Sequence, residues 1–324
     1  MTQKIPKYSE LPIIEKTGER HAWDVRGKDD QLGMVNLLTP ERVKHAASLV
    51  KKGMVFNIEP SRGIPEYTSP TKVRYGLHIN RHRTGSNDYV DNWPLHGSWG
   101  HLDGLGHFRY REFGYYGGRQ DEDLDKGELG IEKWTDHGFV GRGVLIDVAH
   151  HFEKISQPLD PSKMLYIGPA LIEDIAKEEN LRFQPGDILL LRTGWRKWYL
   201  GLTPEQKGAF DTSLPGHEEG EIDFAVLDRF QTTAAWICDH QMVAVWADNG
   251  AVESHRLHDP ELEGRGSNHQ RLIALMGIGI GEFFNFEGLS QDCAEDGIYE
   301  CMIACKPVNI PLATGSPAHA YAIK

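Results

Sequence analysis

The sequence predicts an α/β fold built on a mixed sheet, and three observations predict it. Short apolar runs at residues 143–148 and 187–192 are β-branched or leucine-rich and bounded by Gly or Pro-Gly, the pattern of strands buried on both faces. A helix-type segment at 168–179, with Pro169 near its start and an acidic outer face, lies between them. Strand-type and helix-type segments interleave in this way throughout, which argues against a helical bundle or a sandwich.

The 324 residues read as an N-terminal extension, 1–29, followed by one large elaborated domain, 30–324. Thr39 caps a first helix with Pro40 in its opening turn, and Val43, Ala46, Ala47 and Val50 follow at helical spacing. That helix is expected to stop near Lys51-Lys52-Gly53, where basic residues face its negative end and glycine supplies the left-handed turn. Strands are expected at 54–58 and at 242–246, the latter running into the turn-forming Ala247-Asp248-Asn249-Gly250. Residues 267–277 read as a short capped helix closed by Gly277, followed by strands at 278–286 and 300–308.

Composition narrows the function. A net charge of −12 argues against nucleic-acid and anionic-membrane partners, which require basic surface, and favours a small-molecule substrate. Four cysteines without a C-x-x-C pair suggest a reducing compartment. With no secretory-type N-terminus and no run of about 18 apolar residues, a cytoplasmic protein is expected. No G-x-S-x-G elbow or P-loop stands out, and Gly277-Ile278-Gly279-Ile280-Gly281 sits after a helix, the wrong context for a dinucleotide turn.

The chemistry concentrates in Gly100-His101-Leu102-Asp103-Gly104-Leu105-Gly106-His107. On extended backbone His101 and Asp103 project to one face, and a second imidazole follows four residues later, a metal-ligand spacing. Glycines let such a segment turn tightly and approach one centre. A divalent ion needs ligands from elsewhere as well, and a hydrolytic zinc or manganese keeps one position open. The distal candidates are His269, near a helix start, and Glu282, an isolated acid in an apolar run where a carboxylate is costly unless paired or metal-bound.

At these residues the chain resembles the cyclase-like metal hydrolase family that includes bacterial kynurenine formamidase, isatin hydrolase and trans-dienelactone hydrolase. The family pattern H-x-G-T-H-x-D-x-P-x-H corresponds here to the stretch around Trp99-Gly100-His101-Leu102-Asp103 and Gly106-His107. Leu32-Gly33-Met34-Val35-Asn36, Gly141-Arg142-Gly143-Val144 and Gly186-Asp187-Ile188-Leu189 add similar segments, so the resemblance runs from about residue 30 to 310. It implies a swivelling β/β/α domain, assembled as a homodimer or homotetramer. It also implies His101, Asp103, His269 and Glu282 as metal ligands, and His107 as the acid/base residue. One departure stands out: Gly97 occupies the place of the family's first histidine, with His96 one position early. Either a bulge brings His96 to the metal, or water or another side chain replaces that ligand. A single Zn2+ or Mn2+ is therefore preferred over two ions.

The reaction expected from these residues is attack of metal-bound hydroxide on a carbonyl, with His107 moving the proton. Aromatic residues crowd the motif, and Trp99, Phe108 and Tyr115 are candidates for a pocket that takes an aromatic or cyclic substrate. Opening of a cyclic amide or lactone, or cleavage of an aryl formamide, is the first reading. A metal-dependent cyclase or dehydratase acting on a polyketide-like substrate is the second, and a non-catalytic metal-stabilised binding protein the third. Asp248 and the Asp239-His240 pair are candidates for orienting a ligand from behind, against a turn cap and a surface hydrogen bond as their ordinary roles.

Overall fold

The structure, a computed structural model, describes residues 5–61, 76–96, 100–207, 224–253 and 266–324. Its frame is a nine-stranded mixed sheet. In chain order the strands are β1 (Val55–Asn57), β2 (His101–Asp103), β3 (Phe139–Asp147), β4 (Ile188–Arg192), β5 (Ala244–Ala247), β6 (Gly279–Glu282), β7 (Glu300–Cys305), β8 (Gly315–Pro317) and β9 (Ala320–Ile323). Across the sheet the order is β8-β2-β6-β5-β4-β3-β7-β9-β1.

The four central strands, β3 to β6, run parallel, and the flanking strands pair antiparallel. This division follows from the residues: β4 and β5 are buried at every position, as strands covered on both faces must be. Parallel neighbours need crossovers, supplied here by the helices Pro169–Glu178 and Gln231–Asp239. The first of these turns Ile172, Ile175 and Ala176 to the core.

Several boundaries differ from the sequence expectation for identifiable reasons. The helix Pro40–Ser48 is capped by Thr39, whose hydroxyl accepts from Arg42 N, but it ends before Lys51. Gly53, at φ +69°, therefore shapes the turn into β1 rather than closing the helix. β3 begins earlier than residue 143, and Val148 leaves it to open the helix Val148–Lys154, capped by Asp147. β7 stops two residues before Pro307, which cannot donate to a ladder. The strand expected at 278–286 closes at Glu282, because Phe283 takes a left-handed conformation, φ 57°, and donates instead to Asn249 O at 2.9 Å.

Residues 267–277 do form a helix closed by left-handed Gly277, but it is a π-helix, His269–Met276. Its carbonyl end is held by the N-terminal segment. Ala22 N donates to Leu275 O (2.8 Å), Trp23 Nε1 to Ala274 O (2.7 Å) and Met34 N to Gly277 O (2.7 Å). Gly33 lies so close to the Gly277 carbonyl that a side chain there would collide with it. Tyr8, Leu11, Ile14 and Ala22 join the same core as the sheet.

Outside the sheet, Gly76–His82 pairs with Gly85–Asp91 in a hairpin exposed along nearly its whole length. Among the described residues, no helix is long and apolar enough to cross a membrane.

Candidate metal centre

Strand register builds the centre. β2 presents His101 and Asp103 on one face, and its antiparallel pairing with β6 sets Glu282 directly opposite His101. His101 Nε2 stands 3.5 Å from Glu282 Oε2 and 3.6 Å from Asp103 Oδ1. His269 opens the π-helix and brings Nε2 to 3.2 Å from Glu282 Oε1 and 3.5 Å from Asp103 Oδ2. Past the turn in which His107 N donates to Gly104 O, His107 Nε2 returns to 3.5 Å from Asp103 Oδ1.

His96, one position early in the motif, also faces the cluster. Its Nε2 lies 3.7 Å from Asp103 Oδ1, and its ring stacks on His107 with centroids 4.2 Å apart. The space is made by Gly315 on β8, paired with Asp103 across the strands: a Cβ there would run into the His96 imidazole.

These side chains fit a divalent ion. Both Asp103 oxygens and His96 Nε2 are buried without a hydrogen-bond partner, an arrangement costly for a carboxylate that no cation meets. Apart from the 3.2 Å contact of His269 Nε2 with Glu282 Oε1, a hydrogen bond, the separations of 3.5–3.7 Å are longer than good hydrogen bonds. They match the roughly 3.3–3.6 Å edge of a tetrahedron whose ligands sit about 2.0–2.2 Å from a central zinc. Two ligand sets share Asp103: the buried set His101, Asp103, Glu282 and the half-buried set His96, Asp103, His107.

The electrostatics agree. Burial would raise the Asp103 carboxyl, but His107 and His101, with His269, hold it far below the usual carboxylate range. Glu282 likewise sits low despite burial, because of His101 and His269. Burial pushes His96 down to about 4 and lowers His107, in each case against the pull of Asp103. His269 is raised well above its ordinary value, since the neighbouring carboxylates of Asp103, Glu253 and Glu282 outweigh its burial.

Of the candidate pocket residues, Phe108 packs its ring 4.9 Å from His269 and 5.3 Å from His107. Tyr115 instead donates its hydroxyl to Asp121 at 3.0 Å, with the Arg109 guanidinium over its ring. Trp99 lies outside the described residues. The sequence reading missed Phe283, whose ring is 6.3 Å from His101 and 5.5 Å from Trp195. A left-handed phenylalanine after a strand has no sequence signature.

The residues considered for orienting a ligand do other work. Asp248 is fully buried and accepts from Thr193 N, Thr193 Oγ1 and Gly194 N, anchoring the turn into the helix Trp195–Gly201. Asp239 accepts from Tyr8 N, and His240 packs on Trp236. The carboxylate that does reach a histidine of the cluster is Glu253, 2.7 Å from His269 Nδ1. Its one sequence signal is an acid placed directly after the apolar pair Ala251-Val252.

A mixed sheet with imidazoles and carboxylates gathered on its β2 and β6 strands defines a cyclase-like α/β protein. The profile of the family described as "Putative cyclase" matches residues 62–254, more than half of the chain, and the chain belongs to that family. No curated protein matches it. Among solved structures, a novel cyclase is 28% identical over 94% of this chain and 99% of its own, with a TM-score of 0.79. Isatin hydrolase A from Labrenzia aggregata is 14% identical over 87% of this chain and 97% of its own, with a TM-score of 0.57. The Ralstonia solanacearum enzyme of that name is 13% identical over 86% and 94%, with a TM-score of 0.53. The likeness to these two hydrolases is one of fold.

Proposed function

We propose that the chain is a metal-dependent hydrolase that opens a cyclic amide or lactone, or cleaves an aryl formamide. The observation that carries this reading is Asp103: a buried carboxylate with neither oxygen hydrogen-bonded, ringed by four imidazoles and Glu282. In this reading His101, Asp103, Glu282 and His269 would hold one Zn2+ or Mn2+. When bound, such an ion supplies Lewis acidity to a carbonyl oxygen and to a water nucleophile.

The remaining steps belong to the chain. His107, kept in the neutral form at neutral pH by burial, takes the proton of the attacking water at Nε2 and returns it to the leaving nitrogen or oxygen. Its side chain keeps 26% of its exposure, which leaves a solvent side for that traffic. Phe108 beside His269 and Phe283 beside His101 offer apolar ring faces on two sides of the cluster, suited to a flat or cyclic substrate. Trp99 and Tyr115 are the further pocket candidates. The working assembly in this reading is a homodimer or homotetramer.

Elemental analysis of protein purified without added metal, paired with isatin, N-formylkynurenine and dienelactone as substrates, tests the proposal. Mass spectrometry should show the gain of one water, lost on chelation and restored by Zn2+ or Mn2+. Protein that holds no ion and hydrolyses none of them would end it. The likeness to a novel cyclase favours a second reading, a cyclising or dehydrating reaction at the same centre, for which the product loses one water instead.

A further inference from the structure

Glu253 is 3% exposed and lies at the end of a loop that only unusual backbone can make. From β5 the chain passes through Asn249 and Gly250 to Ala251 and Val252, which adopt φ 65° and 57° in succession. Left-handed backbone is uncommon for alanine and an outlier for a β-branched residue, and such strain persists only where surrounding contacts dictate it. Those contacts are present. Leu227 N donates to Val252 O at 2.8 Å, Glu253 N donates to Ala251 O, and Asn249 Nδ2 donates to Ala225 O at 2.6 Å.

What the strained loop delivers is one carboxylate with three donors. Glu253 Oε2 accepts from Asn268 N (2.5 Å), while Oε1 accepts from His269 N (3.0 Å) and from the ring at Nδ1 (2.7 Å). The first N–H groups of a helix have no partner within it, so an anchor for the π-helix would explain the two backbone bonds. It does not explain the ring bond. A carboxylate only accepts, so the Nδ1 it meets carries the proton. That leaves Nε2 aimed at Glu282 Oε1 and Asp103 Oδ2, 3.2 and 3.5 Å away.

We infer that Glu253 is the positioning residue for His269: it fixes the ring orientation and the protonated nitrogen, so that Nε2 is the atom given to a cation. The inference rests on the reading of His269 as a ligand. A charged partner on the far nitrogen makes the imidazole a stronger donor to a cation, an effect whose loss typically costs about 10–100-fold in metal affinity.

The test is Zn2+ affinity, measured by competition with a chromogenic chelator, for wild type and Glu253→Gln. The variant keeps the oxygen that meets the ring and the His269 N–H, and removes both the charge and the acceptor of the Asn268 N–H. The expected result is a Kd weaker by about 10–100-fold, with circular dichroism unchanged. A Kd equal to wild type, with or without a lower melting temperature, leaves Glu253 a helix anchor only and overturns the inference. If wild type itself binds no Zn2+, the hydrolase reading fails and the inference falls with it, an outcome distinct from the first. Should the variant fail to fold, nitrogen-15 NMR of the Zn2+-loaded wild type decides: His269 must show a protonated Nδ1 and a zinc-bound Nε2. The reverse assignment overturns the inference.

Discussion

His101 and Glu282 face each other across adjacent antiparallel strands, with Nε2 and Oε2 3.5 Å apart. This pairing makes a carboxylate 181 positions away in sequence a direct neighbour of the motif histidine. Glu282→Gln should therefore leave the sheet intact while weakening Zn2+ binding by more than the roughly 10–100-fold typical of an outer partner. Chelator competition on folded variant protein measures it, and wild-type affinity would remove Glu282 from the ligand set.

Replacing His107 by Ala should lower turnover by about 10²–10⁴-fold, the usual worth of an acid/base group. Metal content should stay at one ion per chain. If elemental analysis instead shows wild type with two ions and the variant with one, His107 belongs with His96 and Asp103 as a ligand, and the second ligand set is filled.

The imidazole of His96 occupies the space that a side chain at position 315 would need. Gly315→Ala should expel that ring from Asp103 with little effect on the edge strand β8. Displacements of about 1 Å at a reacting centre can cost about 100-fold, so turnover is expected to drop by up to that factor. A crystal structure of the variant with His96 still 3.7 Å from Asp103 would refute the steric account.

How much of this was legible follows from local geometry. His101-x-Asp103 could be read because a strand has a period of two, and Glu282 because a lone acid inside an apolar run demands a partner. His96 could be named only as one of two alternatives: its approach to Asp103 depends on a glycine 219 positions later, which lies beside it only after the sheet has formed. Glu253 was hidden for a similar reason, since left-handed Ala251 and Val252 carry none of the glycine or asparagine that signals such turns. The central strands were legible as buried runs, whereas their order was not, because β2 pairs with segments nearly 180 and more than 210 residues away.

Stability should also depend on a carboxyl far from β2. Burial, reinforced by the charge of Asp147, raises Glu179 to about 9. A raised folded value means the folded state holds the proton more tightly. The stability this gives is complete below the unfolded value of about 4.3 and is lost as pH climbs through the folded one. Glu179→Gln should thus raise the melting temperature at about pH 8 and much less at about pH 4. Equal shifts at both would show that the carboxyl does not titrate this way.

The proposed homo-oligomer has a segment to test it. Leu77, Ile79, Tyr89 and Val90 lie 44–57% exposed on the hairpin, and an isolated two-stranded hairpin is marginal in water. Light scattering should report a dimer or tetramer, and Leu77→Asp with Val90→Asp should shift it toward monomer. A monomeric wild type would refute the assembly.

The placement of β2 between β6 and β8 has a consequence for how the protein is made. During synthesis the His101–Asp103 strand emerges well before both its neighbours, which end at Glu282 and Pro317. The nascent polypeptide thus carries His101 and Asp103 on a strand with bare backbone edges until those partners follow. If the proposed centre binds its ion, cation capture is a closing event of folding, and a ribosome stalled before residue 279 releases a product without Glu282, the second carboxylate proposed for that centre.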